Sequence, residues 1–72
     1  MQGGTMSVAK ITEIHSSSKK SFDDALQSGI AKAGKTLRDL RGAWIKSQKV
    51  VIENGKIVEY RVLMKVSFVV ND

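Results

Sequence analysis

The chain is predicted to be an α+β domain of order β-α-β-β, a three-stranded antiparallel sheet packed on one helix. Three observations carry this reading. Residues 43–53 and 56–70 alternate apolar and polar side chains on either side of Asn54-Gly55. Asn-Gly between alternating runs is the strongest short-range hairpin signal, because both turn positions tolerate positive φ. Phe22, Leu26, Ile30, Ala33 and Leu37, with Ala25 and Gly29, recur at helical spacing. Residues 7–15 alternate again and supply the remaining strand.

In chain order, Met1–Thr5 carries no periodic pattern and precedes a second methionine, Met6. It reads as a disordered leader or expression remnant, with the domain over 6–72. In the first strand Val8, Lys10, Thr12 and Ile14 point one way, and Ala9, Ile11, Glu13 and His15 the other. Ser16–Lys20 is a polar connection. Ser21 is a good N-cap, Asp24 approximates a capping box, and Asp23 and Asp24 suit the positive end of the helix dipole. Arg38 and Arg41 suit the C-terminal end, and Gly42 is expected to close that segment in a left-handed conformation. The two-residue turn then pairs Glu53 with Lys56 and so on outward. One hairpin face carries Val58, Tyr60, Val62, Met64, Val66 and Phe68, and the helix stripe is expected to cover it.

Composition sets the limits. A chain of 72 residues makes one domain, and chains this short bury only about 60% of their unfolded surface. There is no cysteine, so neither a disulfide nor a thiolate zinc site staples the fold, and oligomerisation is the remaining device. The lack of cysteine fits a cytoplasmic location. No apolar run approaches the roughly 20 residues of a membrane span, and no signal peptide is visible. The net charge of +5 favours solubility and attraction to phosphate. The basic residues are spread along the chain without a nucleic-acid-binding motif, so nucleic acid is not an expected partner.

Function centres on Trp44, the only tryptophan. In the gap-free register it lies opposite Lys65, with Gln48 opposite Arg61, on the hairpin face that no helix covers. That face also holds Lys46, Val50, Ile52, Ile57 and Leu63, too much apolar surface for water. The architecture therefore predicts a multimer. An indole beside an amide and a guanidinium suits a flat heterocycle with a hydrogen-bonding edge. The same groups suit a subunit interface, where Trp and Arg are favoured. Catalysis and metal binding are not indicated. Gly29–Thr36 spells the phosphate-binding loop G-x-x-x-x-G-K-[ST], but Ile30, Ala33 and Leu37 continue the helical stripe through it, and such a loop must instead follow a strand and open a helix. His15 is the only histidine and has no second soft ligand. The acidic residues form no calcium loop.

From Met6 onward the chain resembles the dodecins. The strings that carry this are Ile14-His15-Ser16-Ser17-Ser18, Lys20-Ser21-Phe22-Asp23-Asp24-Ala25, Ile30-Ala31-Lys32-Ala33, Lys35-Thr36-Leu37-Arg38, and Glu59 through Phe68. The resemblance implies a hollow homododecamer of cubic symmetry. It implies FMN or riboflavin bound in pairs between subunits, stacked on tryptophan, and a storage or sequestering role without turnover. The candidate cofactor-binding residues on the uncovered face are Trp44, Arg61, Gln48 and Lys46. Two positions depart from the pattern. The family's stacking tryptophan commonly falls where Gly42 stands, so Trp44 is displaced by about 6–7 Å along the strand, an offset that a bulge near Gly42 would partly restore. Arg61 stands where a glutamine commonly reads the flavin edge. The alternative expectation is a dodecin-like shell without tight flavin binding, holding coenzyme A, another phosphate-bearing nucleotide, or cations at subunit junctions.

Overall fold

A computed structural model describes residues 7–71 of the chain. The leader expected over 1–5 lies outside the described residues. The elements are β1 (Ser7–Ser18), α1 (Phe22–Thr36), β2 (Leu40–Glu53) and β3 (Lys56–Asn71). The three strands form one antiparallel sheet of order β1-β3-β2. The α+β reading, the element order and the single covering helix all hold.

The hairpin turns at Asn54 (φ 53°) and Gly55 (φ 74°), both left-handed, as a two-residue Asn-Gly turn requires. The helix starts where expected. The Ser21 Oγ accepts the Asp24 N–H at 2.9 Å. Ser18 adds a second clasp: its Oγ donates to Asp24 Oδ2 at 2.6 Å and accepts the Lys20 N–H at 2.8 Å. The end of β1 and the first turn of α1 are thereby tied together. Residues 29–35 are helical, which removes the phosphate-binding-loop reading.

The far end of the helix differs from expectation. It stops at Thr36 with Leu37 as C-cap, and the chain reverses at Asp39 (φ 53°) rather than at Gly42. Asp is one of the few residues besides Gly that tolerates this region. Val69 N–H donates to the Asp39 carbonyl at 3.2 Å, so the reversal is already joined to β3. Strand β2 therefore begins at Leu40 and contains Gly42.

The core lies between α1 and the central strand. Met64, Val62 and Val66 are almost wholly buried with Ala25, and Ile14, Phe22, Leu26, Ile30 and Leu40 pack around them. Phe22 meets Tyr60 edge to face, with ring centroids 5.1 Å apart. The small residues of α1 do the closest packing: Ala25, Gly29 and Ala33 are its buried positions. This core is thin. The molecule measures 58 × 20 × 13 Å, and its radius of gyration is 15.4 Å, against about 11 Å for a compact domain of this length. It exposes 5360 Å², where a compact monomer of its mass exposes about 4400 Å².

Candidate functional site on the open sheet face

Residues paired across a ladder share a sheet face. Because Val62, Met64 and Val66 lie under the helix, their β1 partners Ser16, Ile14 and Thr12 face it too. Ile11, Glu13, His15 and Ser17 then occupy the opposite, open face with Ser67, Lys65, Leu63 and Arg61. Trp44 pairs with Lys65, which places it on this open face as expected. One rung across all three strands therefore reads Glu13, Lys65, Trp44. Trp44 is 46% exposed.

The gap-free register does not survive along β2. Three irregularities interrupt the ladder, between Leu40 and Gly42, between Ile45 and Ser47, and between Val51 and Ile52. The last leaves Val58 unpaired on β3; the other two leave Arg41 and Lys46 unpaired on β2. An extra residue in one strand flips the side-chain alternation of the residues beyond it. The consequence falls on Gln48. It pairs with Val62, whose side chain is in the core, so Gln48 leaves the Trp44 face for the helix side. Its place opposite Arg61 is taken by Lys49. Gln48 is thus withdrawn from the constellation at Trp44. The irregularity near Gly42 falls at Arg41 and leaves Trp44 on Lys65, so it does not move the indole along β3.

Lys46 sits in the middle bulge and reaches across the central strand. Its Nζ donates to Glu13 Oε2 at 3.1 Å, an ion pair between the two outer strands over the open face. Lys46, first among the causes, holds the Glu13 carboxyl below its ordinary 4.5, with smaller contributions from Lys65 and His15. The pair is solvated and of the weak surface kind. A carboxylate depressed in the folded state adds stability above its unfolded value and loses it as pH falls through the folded one. The Glu13 carboxyl, followed by NMR, is accordingly expected to titrate below 4.5. Lys46→Met should move that midpoint upward, and an unmoved midpoint would show that the pair does not form in solution.

Arg61 lies four residues from Lys65 on β3, about 13 Å along the strand. Its Nε donates to Glu59 Oε1 at 2.6 Å, which aligns the guanidinium on the open face. A shallow recess of about 210 Å³ lies there, bordered by His15, Ser47, Lys49, Arg61 and Leu63, with Gln48 and Val62 as the intervening residues. The face therefore has two regions. The first is an exposed indole flanked by Lys65 and Lys46. The second is a polar, basic recess around Arg61. Their rungs are about 13 Å apart along β3, so Trp44 and Arg61 mark separate ends of the face. A tailed ligand running along β3 can meet both, and so can one ligand shared by two subunits.

Of the four expected site residues, Trp44, Arg61 and Lys46 lie on the open face. Sequence reasoning did not foresee Glu13 beside Lys46, which needs the β1–β3 register, or Ser47 on this face, which needs the bulge. Among the described residues no three His, Cys, Asp or Glu side chains gather in a metal-holding group, and no helix is long and apolar enough to cross a membrane.

Comparison with known proteins agrees with this architecture. Residues 8–71 match the family model described as Dodecin. The dodecin from Streptomyces davaonensis superposes with a TM-score of 0.87 at 27% identity, over 92% of this chain and 97% of that one. A variant of the Thermus thermophilus dodecin gives 0.87 at 30% identity, over 93% and 100%. A calcium dodecin from Mycobacterium tuberculosis, described as calcium-chelating with a novel calcium-binding site, gives 0.76 at 31% identity, over 85% and 87%. No curated protein matches. A family model covering all but the ends of the chain, on the same β-α-β-β fold, leaves one conclusion: the chain belongs to the dodecin family.

Proposed function

We propose that the chain assembles into a closed homododecamer in the cytoplasm and holds FMN or riboflavin between subunits without chemical turnover. The observation that carries this is the half-exposed Trp44 on a sheet face with no helix over it. Trp44 would supply the stacking surface. Lys65 and Lys46 flank it, and Arg61, about 13 Å along β3, is suited to a phosphate tail or to a flavin seated by a neighbouring subunit. Family membership supports the shell. So does the thin core, since Ile52 (61%) and Ile57 (51%) at the hairpin end stay exposed in the isolated subunit.

The test is the absorption spectrum and flavin fluorescence of the purified protein, before and after added FMN and riboflavin. Bound flavin with quenched emission is expected. A wild-type protein that takes up neither flavin at micromolar concentration would refute the reading. For the assembly, light scattering is expected to give the mass of a large closed oligomer that resists dilution, because many interfaces must open together. A stable folded monomer would exclude it. The calcium-chelating relative supports a second reading, a shell with cation sites. No acidic group of three gathers within one chain among the described residues, so such a site would add backbone or amide oxygens, or ligands from neighbouring subunits.

A further inference from the structure

We propose that Glu13 is a positioning residue that sets the charge selectivity of the Trp44 face through Lys46. This deepens the flavin reading and rests on it for the identity of the ligand. The geometry is specific. Glu13, Lys65 and Trp44 form one rung across the sheet, and Lys46 leaves its bulge two residues from Trp44 to reach Glu13 on the far strand. Its stem must cross the open face above the central strand to do so. Lys46 is therefore both a side boundary of the indole's surface and a cation whose charge is spent on Glu13. Among the described residues this is the only ion pair that joins two strands; the other, Arg61 with Glu59, lies within β3.

With Glu13 in place, the rung and the bulge together carry two cations, Lys65 and Lys46, against one carboxylate. The indole thus has one net positive charge beside it, which stacking of a neutral ring does not need and which pulls only weakly on a phosphate. Removing the carboxylate leaves two free ammonium groups at the same place. The ring contact is unchanged, while attraction to an anion rises. Glu13 thus keeps phosphate-free and phosphate-bearing flavins closer in affinity than the basic face alone would.

The experiment compares wild type, Glu13→Gln, Lys46→Met and the double variant, all as the assembled protein. Riboflavin and FMN are titrated by flavin fluorescence. Glu13→Gln is expected to raise the FMN-to-riboflavin affinity ratio by about threefold, the scale of an exposed ion pair. Lys46→Met, which retains most of the stem, should cancel that gain in the double variant. A second readout needs no flavin. Trp44 is the only tryptophan, so its emission reports this face directly. Glu13→Gln should increase quenching by iodide but not by neutral acrylamide, and Lys46→Met should abolish the increase. If wild type binds both flavins and Glu13→Gln leaves their ratio unchanged, the flavin reading stands and the role of Glu13 is overturned. If neither flavin binds but the iodide effect appears, the flavin reading fails and the charge role stands. Iodide quenching that ignores Glu13, or a Trp44 closed to both quenchers, overturns the proposal.

Discussion

Replacing Trp44 with alanine is expected to weaken FMN and riboflavin binding by about tenfold or more while the shell still assembles. Stacking on an aromatic contributes on the order of 1 kcal/mol. A symmetric pair of indoles around a pair of flavins doubles that, and about 1.4 kcal/mol is a factor of ten. No other aromatic is placed to substitute. Phe22 and Tyr60 are engaged with each other beside the core, and Phe68 pairs with Lys10 and Leu40 on the helix side. Arg61→Ala serves as the comparison. Its guanidinium lies about 13 Å along β3 from the Trp44 rung, so its loss should reduce FMN affinity more than riboflavin affinity. Fluorescence titration of both variants with both flavins separates the two roles. Unchanged binding in Trp44→Ala would place the flavin elsewhere.

Gly29→Val is expected to lower the melting temperature by about ten degrees or more. A Cβ at this position would lie 2.8 Å from Met64 Cε and 2.9 Å from Ser16 Cβ. The Met64 methyl can swing aside, but Ser16 Cβ is carried on the backbone of β1, so helix and strand must separate. Overpacking of this kind costs typically about 1–3 kcal/mol, and in a domain of this size each kcal/mol shifts Tm by roughly 4–8 °C. Valine also brings a second branch at Cβ. Gly29→Ala should fall well short of this, because alanine regains about 1 kcal/mol of helix propensity over glycine. Thermal unfolding followed by circular dichroism at one fixed protein concentration checks both, since oligomers melt in a concentration-dependent way. A Gly29→Val protein that melts with wild type would show that α1 does not approach β1 this closely.

The fold was legible in the sequence because each element carries its own local signal. Asn54-Gly55 admits the left-handed pair that a tight hairpin needs, and the structure has both residues there. Ser21 with Asp24 marks the start of α1, and the capping bond is present. The alternation in β1 sorted its residues correctly between the helix side and the open side. The family strings pointed the same way, and the match over residues 8–71 agrees. Trp44 could be assigned to a face without a helix because β-α-β-β has only one helix, and a sheet has two faces.

What failed was whatever depends on counting residues across a gap. The chain reversal after α1 falls at Asp39, not Gly42, and its carbonyl is joined by a hydrogen bond to Val69, thirty positions later in the chain. Gln48 was lost from the site because the bulges at Lys46 and Val58 reverse the alternation between them. A side-chain period of two means that one unpaired residue moves everything beyond it to the other face, and nothing in Ile45-Lys46-Ser47 announces the insertion. Lys46, on this face in the gap-free register too, meets Glu13, a partner 33 residues away in sequence and brought within range only by the β1–β3 register. Local propensities and periodicity thus determined the elements, their order and the uncovered face. The identity of the side chains gathered around Trp44 was decided by strand register, a collective property of three strands that pair at long range.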